Sequence, residues 1–412
     1  MLKKITAILL GTCMLLPLVS CGKTKKTDLP EDLGGASPQK AALTEPPADA
    51  DAAYADFAAE LLVKCYDGGN TLLSPLSVLG ALGMTASGAE GETLAQMESV
   101  LGMRAEEIAA YLAAFENGGS DKAKLSIANS LWVREDLKVR EEFLQKNTDG
   151  YGASIFKTAF GDDTAAQINK WVEEHTDGLV KDILDRVPAV AVMYLVNALA
   201  FDAEWETIYE ENNVRAHDFT DADGKKSEAE MMYSEESRYL EDENTTGFIK
   251  YYAGRRYAFA ALLPNENISI ADYVASLDGE KLTSLLENVQ NQTVDAGLPR
   301  FESEYAVTLN DALVKMGMTD AFDDSKADFS GMAELDDGNS LCISRVLHKT
   351  FIAVDERGTK AGAATVVEMT ECTAYMPEQP KEVILDRPFV YMLVDCENGN
   401  APIFIGVMTS VR

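Results

Sequence analysis

Three histidines, His175, His217 and His348, are the only side chains of this 412-residue chain with an ordinary pKa near neutrality. None stands beside a serine or cysteine in a nucleophile motif. The sequence holds neither Gly-x-Ser-x-Gly nor His-Glu-x-x-His, so hydrolysis by a serine triad or a zinc-bound water reads weakly. The chain is expected not to be an enzyme and to need no metal or cofactor. Beyond Cys13 and Cys21, the cysteines Cys65, Cys342, Cys372 and Cys396 show no CxxC or metal spacing and are sparse for a disulfide framework. Cys342 and Cys396 sit in or beside apolar strands and read as buried thiols, while Cys372 falls in a stretch that reads as exposed loop.

That stretch, Phe351 to Pro380, changes character as it runs. Phe351 to Val354 is β-branched and aromatic, a strand by composition. After Asp355-Glu356-Arg357-Gly358 the residues turn small, then lead through Val366, Val367, Glu368, Met369 and Thr370 to Cys372 and a polar exit at Pro377 and Pro380. Taken with period two, one face carries Thr359, Ala361, Ala363, Thr365, Val367 and Met369, all small or apolar. The other carries Lys360, Gly362, Ala364, Val366, Glu368 and Thr370. A permanent solvent loop has little need of such alternation. Two readings stand: a half-buried strand after a glycine turn, or a segment exposed in one state and a strand in another.

The run Glu356-Arg357-Gly358-Thr359-Lys360-Ala361-Gly362-Ala363-Ala364-Thr365 resembles the hinge of the serpins, the serine protease inhibitor family. Other segments agree in order from about Tyr54 to Val411. Asn70 to Ser77 (NTLLSPLS) resembles the family's Asn-x-x-x-Ser-Pro-x-Ser helix, with Ser74 a good N-cap and Pro75 suited to the first turn. Val192 to Trp205 is a near-continuous apolar run, read as an interior strand covered on both faces. Ala327 to Met332, Arg387-Pro388-Phe389 and Phe404-Ile405-Gly406 complete the likeness.

The resemblance implies an α+β serpin fold: several helices packed on three β-sheets, with an exposed reactive-centre loop near the C-terminus. It implies a suicide-substrate inhibitor, in which a target serine protease attacks the loop and the cut segment inserts into the central sheet before the acyl-enzyme is hydrolysed. A hinge of Glu356, Gly358, Thr359, Ala361, Gly362, Ala363, Ala364 and Thr365 is implied, and a bulky or charged residue on its inward face should slow insertion. Counting as the family does puts the reactive bond at Cys372–Thr373. The stretch from Thr373 to Arg387 is longer than usual, which leaves Thr370, Ala374 and Tyr375 as alternatives. A small apolar Cys372 suits an elastase-like pocket, Tyr375 a chymotrypsin-like one, and no Arg or Lys lies between Val366 and Pro380 for a trypsin-like enzyme. The resemblance also pairs Ser74, Asn197 and His348 in a buried polar cluster and puts Trp205 where the loop first enters. The alternative is a non-inhibitory member acting as a surface binding or scaffold lipoprotein.

Residues 1–20 pair Lys3 and Lys4 with an apolar run from Ile5 to Leu16 and small residues before Cys21, the pattern of a secretory signal. Leu18-Val19-Ser20-Cys21 looks like a bacterial lipobox, with Cys21 lipidated. Residues 21–50, polar and without apolar periodicity, are expected to be a disordered tether, and 51–412 one serpin domain. The location expected is extracytoplasmic, lipid-anchored to the envelope or cell surface. Without the signal's two lysines, 34 basic residues face 68 acidic ones. That balance speaks against nucleic acid, anionic lipid surfaces and a heparin site, and a monomer is expected whose partners are a protease and, through Cys21, a membrane.

Overall fold

The computed structural model describes residues 28–33, 45–116, 119–188, 190–335, 340–359 and 379–411. Three large sheets organise them, with one further pairing of two-residue strands. One sheet has six strands, ordered Thr71–Leu73, Ala401–Met408, Phe389–Asp395, Tyr257–Pro264, Thr245–Tyr251 and Tyr239–Glu241. Its Phe389–Asp395 and Ala401–Met408 strands are buried at every residue, as their continuous apolar sequences require. A four-stranded sheet runs Lys381–Ile384, Val294–Pro299, Lys226–Glu236 and Val214–Thr220. Among the described residues no helix is long and apolar enough to cross a membrane.

The largest sheet positions the site. Its strands in chain order are β1 (Gly119–Ser120), β2 (Ala123–Arg134), β3 (Ser154–Thr158), β4 (Met193–Glu204), β5 (Phe301–Thr308), β6 (Leu347–Val354) and β7 (Gly358–Thr359). Across the sheet the order is β5, β6, β7, β4, β2, with β1 and β3 on the outer edge of β2. All ladders are antiparallel except β2 with β3.

Helix Pro75–Ala86 packs behind this sheet, with ten of its twelve residues buried. Ser74 caps it, accepting a 3.3 Å bond from Ser77 N–H, and Pro75 sits in the first turn. Helix Asp162–His175 covers the other face. It lays Ile168, Trp171 and Val172 on Trp132 of β2, Phe156 of β3 and Val196 and Ala198 of β4. The stretch 21–50, expected to be free tether, departs from that reading in its middle: residues 28–33 are seated on the body of the protein, Leu33 N–H donating to Ile155 O at 2.8 Å.

Candidate functional site

The centre of the site is the two-residue strand β7. Gly358 faces Glu204 and Thr359 faces Ala203 on β4, while Thr359 also faces Val354 on β6. Only glycine serves at 358, because a Cβ there would lie 2.0 Å from Ala203 O. Thr359 is 2 % exposed, and its hydroxyl is 2.6 Å from the buried Tyr252 hydroxyl. The turn before β7 is held by Asp355, whose Oδ1 accepts from the N–H groups of Arg357 (2.8 Å) and Gly358 (3.1 Å). This is the Asx-type local bonding that aspartate offers a tight turn.

Trp205 stands beside this turn. Its indole N–H donates to Asp355 O at 2.8 Å, and its backbone N–H to Arg357 O at 2.8 Å. Its ring stacks on Tyr252 with centroids 4.3 Å apart, and the buried Lys250 ammonium lies 5.5 Å from it while pairing with Glu236 at 2.8 Å. Tyr209 N–H donates to Glu356 O at 2.9 Å. Glu356 bonds Arg300, which also holds Glu230 at 2.8 Å. Burial works to raise the Glu356 carboxyl, but the Arg300 guanidinium, a backbone N–H and the charge of Arg357 together outweigh it and hold it below the ordinary carboxylate range.

Below Thr359 the strands on either side part. Among the described residues no ladder joins β4 to β6. The gap starts as a pinch of about 10 Å³ lined by Leu199, Ala200, Phe201, Phe351, Ile352 and Ala353. Lower down it widens to a cavity of about 880 Å³ between Met193–Asn197 and Val346–Lys349, floored by Val78, Ala81 and Leu82 of helix Pro75–Ala86. Leu179, Val180, Ile183 and Leu184, which follow helix Asp162–His175, lie over it. The lower residues of β4 are half-buried, short of the two-sided cover their sequence suggests, because among the described residues no strand lies against this flank.

Of the buried polar cluster, the structure joins two members and separates the third. Ser74 N–H donates to His348 Nε2 at 3.0 Å, and Ser74 Oγ donates to Ile403 O at 2.9 Å. Nε2 of His348 is therefore unprotonated, and burial away from water pushes the imidazole down to about 4. Asn197 does not bond to either residue. Its Nδ2 donates to Asn129 Oδ1 at 2.8 Å, and Asn129 Nδ2 donates to Tyr151 O at 2.8 Å. The Asn197 Oδ1 is buried without a partner at the wall of the cavity. Sequence reading missed Asn129; the signal lies in the register, which sets Asn129 directly opposite Asn197.

Among the thiols, Cys65 is buried and pushed up to about 12, and Cys396 is half-buried and raised to about 11, both mainly by burial. Cys342, read as buried, is exposed: residues 340–346 form no strand, so the apolar neighbours Leu341 and Ile343 do not enclose it. The hinge residues Ala361, Gly362, Ala363, Ala364 and Thr365, the reactive-bond residues Cys372 and Thr373 with their alternatives Thr370, Ala374 and Tyr375, and Cys21 lie outside the described residues.

The large sheet is thus joined through β7 at one end, while below it no ladder among the described residues connects β4 to β6. Residues 52–411 match the model of the family described as serpin (serine protease inhibitor), and the chain belongs to that family. It is 30 % identical over 352 residues to an uncharacterized serpin-like protein of Thermococcus kodakarensis, covering 83 % of this chain and 81 % of that one. The crystal structure of the thermophilic serpin tengpin in the native state superposes with a TM-score of 0.86 at 43 % identity, covering 93 % of this chain and 100 % of that one. Tengpin in the latent state gives a TM-score of 0.79 at 44 % identity, covering 90 % and 100 %.

Proposed function

We propose that the protein is a suicide-substrate inhibitor of a serine protease, driven by insertion of its cut loop between β4 and β6. One observation carries this reading. The first two residues of the small-residue segment already pair between β4 and β6, and among the described residues no strand fills the space beneath them. The protease nucleophile attacks the carbonyl carbon of the residue before the cut, the peptide bond to the next residue breaks, and its amine leaves with a proton. The chain up to the acylated residue is then free to zip downward from Thr359. About 14 residues at roughly 3.3 Å each carry the attached enzyme about 45 Å. Distortion of the enzyme's catalytic groups over that journey is what stops water from completing the reaction.

The bond proposed is Cys372–Thr373, with Thr370, Ala374 or Tyr375 as its neighbours in consideration, and elastase- or chymotrypsin-like enzymes as targets. Lipid on Cys21 would hold the protein to the cell envelope or surface, where an extracytoplasmic protease meets it. The test is incubation with elastase-, chymotrypsin- and subtilisin-like enzymes, followed by a denaturing gel and the mass of the released peptide. An adduct that survives denaturation is expected, together with a cut form that melts well above the intact one. Cleavage of the loop with neither adduct nor gain in thermal stability would overturn the proposal.

A further inference from the structure

Two side chains on the walls of the gap, Tyr194 and Arg345, face each other across the large cavity at one level. That level is fixed by the ladder above it. Thr359 faces Ala203 on one side and Val354 on the other, and each further residue of an incoming antiparallel strand steps one residue down both walls. Nine residues on, position 368 falls between Tyr194 of β4 and Arg345, two residues ahead of β6. The sequence puts Glu368 there.

The three residues also share a face. Thr359 points inward to the Tyr252 hydroxyl, so a residue nine positions later points outward. On β4, Val196 and Ala198 belong to the cluster under helix Asp162–His175, and Tyr194 packs against it with its ring 5.8 Å from Phe160. On the other wall Leu347 packs against the same cluster, and Arg345 precedes it by the two-residue spacing of one strand face. The inner face is occupied differently. Asn197 turns to helix Pro75–Ala86, where a Cβ at Gly80 would lie 3.0 Å from its Nδ2, and His348 bonds Ser74.

Arg345 is exposed and, among the described residues, pairs with no carboxylate, whereas Lys349 on the same face pairs with Glu304 at 2.8 Å. Its neighbour across the gap is the Tyr194 phenol, which burial raises and the guanidinium pulls back. We infer that Arg345, with Tyr194, receives the Glu368 carboxylate in the inserted strand and so positions the lower half of that strand. This rests on the insertion reading. Arg345 acts late, once the strand has paired down to this level, and takes no part in cleavage. Opposite charges facing each other on adjacent strands favour pairing and like charges oppose it. A slip of one residue would turn Glu368 toward the apolar floor of Val78, Ala81 and Leu82, so the pair also selects against the wrong register.

The test compares the full chain with Arg345→Glu, Glu368→Arg and the double reversal. Each is cut in the loop by a protease that releases product without trapping, and mass analysis confirms cleavage beyond Glu371. Unfolding of the cut forms in warm urea is then timed at low salt and at about 1 M salt. Each single reversal is expected to speed unfolding, and to raise the share of a trapped protease that escapes with cut product, by about fivefold. The double reversal should restore both, and high salt should shrink the differences. The uncut variants should melt and react with protease as wild type does, which a merely structural role for Arg345 would not allow. Glu371→Arg is the control: the same register sets position 371 beside Ala191 and Cys342, so it should not rescue Arg345→Glu. The inference is overturned if the double reversal is no better than the two singles combined, or if Glu371→Arg rescues as well as Glu368→Arg. Failure of the insertion reading shows separately and takes this inference with it: the wild-type cut form would then unfold as fast as the uncut one.

Discussion

Replacing Ala363 with arginine tests the insertion reading most directly. Continuing the observed register, Gly358 to Glu204 and Thr359 to Ala203 on one side and Thr359 to Val354 on the other, sets Ala363 between Leu199 and Thr350 once the strand forms. Those two residues are 8 % and 4 % exposed, and the gap at their level is close to the pinch of about 10 Å³. A methyl group suits that space; a guanidinium must be buried there without a counter-charge, at a cost of several kcal/mol. Each 1.4 kcal/mol slows insertion about tenfold relative to hydrolysis of the acyl-enzyme. Ala363→Arg is thus expected to shift the partition toward cut product by about a hundredfold or more. Lys360 falls opposite Asp202 on the other face, so Lys360→Ala serves as the control that leaves the partition unchanged. The assay titrates a fixed amount of a susceptible protease with inhibitor and scores adduct against cut inhibitor on a denaturing gel. An Ala363→Arg protein that traps enzyme at the wild-type stoichiometry would refute the register, and with it the mechanism.

His348 gives a pH prediction with a definite sign. Its folded pKa is about 4, and an unfolded histidine titrates near 6.5. Between those values the unfolded chain binds a proton that the folded one does not, so stability is lost as pH falls from about 6.5 to about 4, by ~3 kcal/mol in all, and no further below. His348→Gln, which keeps an acceptor for Ser74 N–H, should flatten the apparent thermal midpoint across that window; an unchanged slope would assign the effect elsewhere. Gly358→Ala forces a Cβ against Ala203 O, so β7 should withdraw and Trp205 fluorescence should shift as its bonds to Asp355 and Arg357 are lost. An unaltered spectrum counts against β7 being paired in the uncut protein. Glu382, Asp295 and Glu235 lie side by side on three neighbouring strands, all exposed. Neutralising all three should slow association with a basic protease up to about tenfold at low salt and leave the rate at high salt unchanged; equal rates at low salt would deny this row any steering role.

Much of the site was legible because local chemistry announces it. The change from β-branched to small residues after Val354 marks where strand β6 ends, and the turn held by Asp355 before Gly358 is where the structure bends. Ser74 and His348 meet as the resemblance implies, since each sits on an element whose apolar pattern fixes its facing. Asn197 was grouped with them but bonds Asn129 instead: both asparagines project to the same side at one register position, and no pattern within either strand reveals that pairing across 68 residues. Cys342 misled through apolar neighbours that have no partner strand. The seat of Asp28–Leu33 on the β3 edge was invisible for a related reason. Its few contacts depend on an open strand edge far along the chain, while Asp28 to Leu33 alone has the composition of a linker.

That clipped segment changes how far the molecule can wander if the lipid proposed for Cys21 is attached. A thirty-residue leash would let the body roam about a hundred ångströms from its mooring, but one fastened again at Asp28 pays out only seven steps, about 25 Å. The inhibitor would then ride close over the bilayer, held by the flank at β3 with its opening gap two strands further in. Its catch would be limited to enzymes working within that shallow layer.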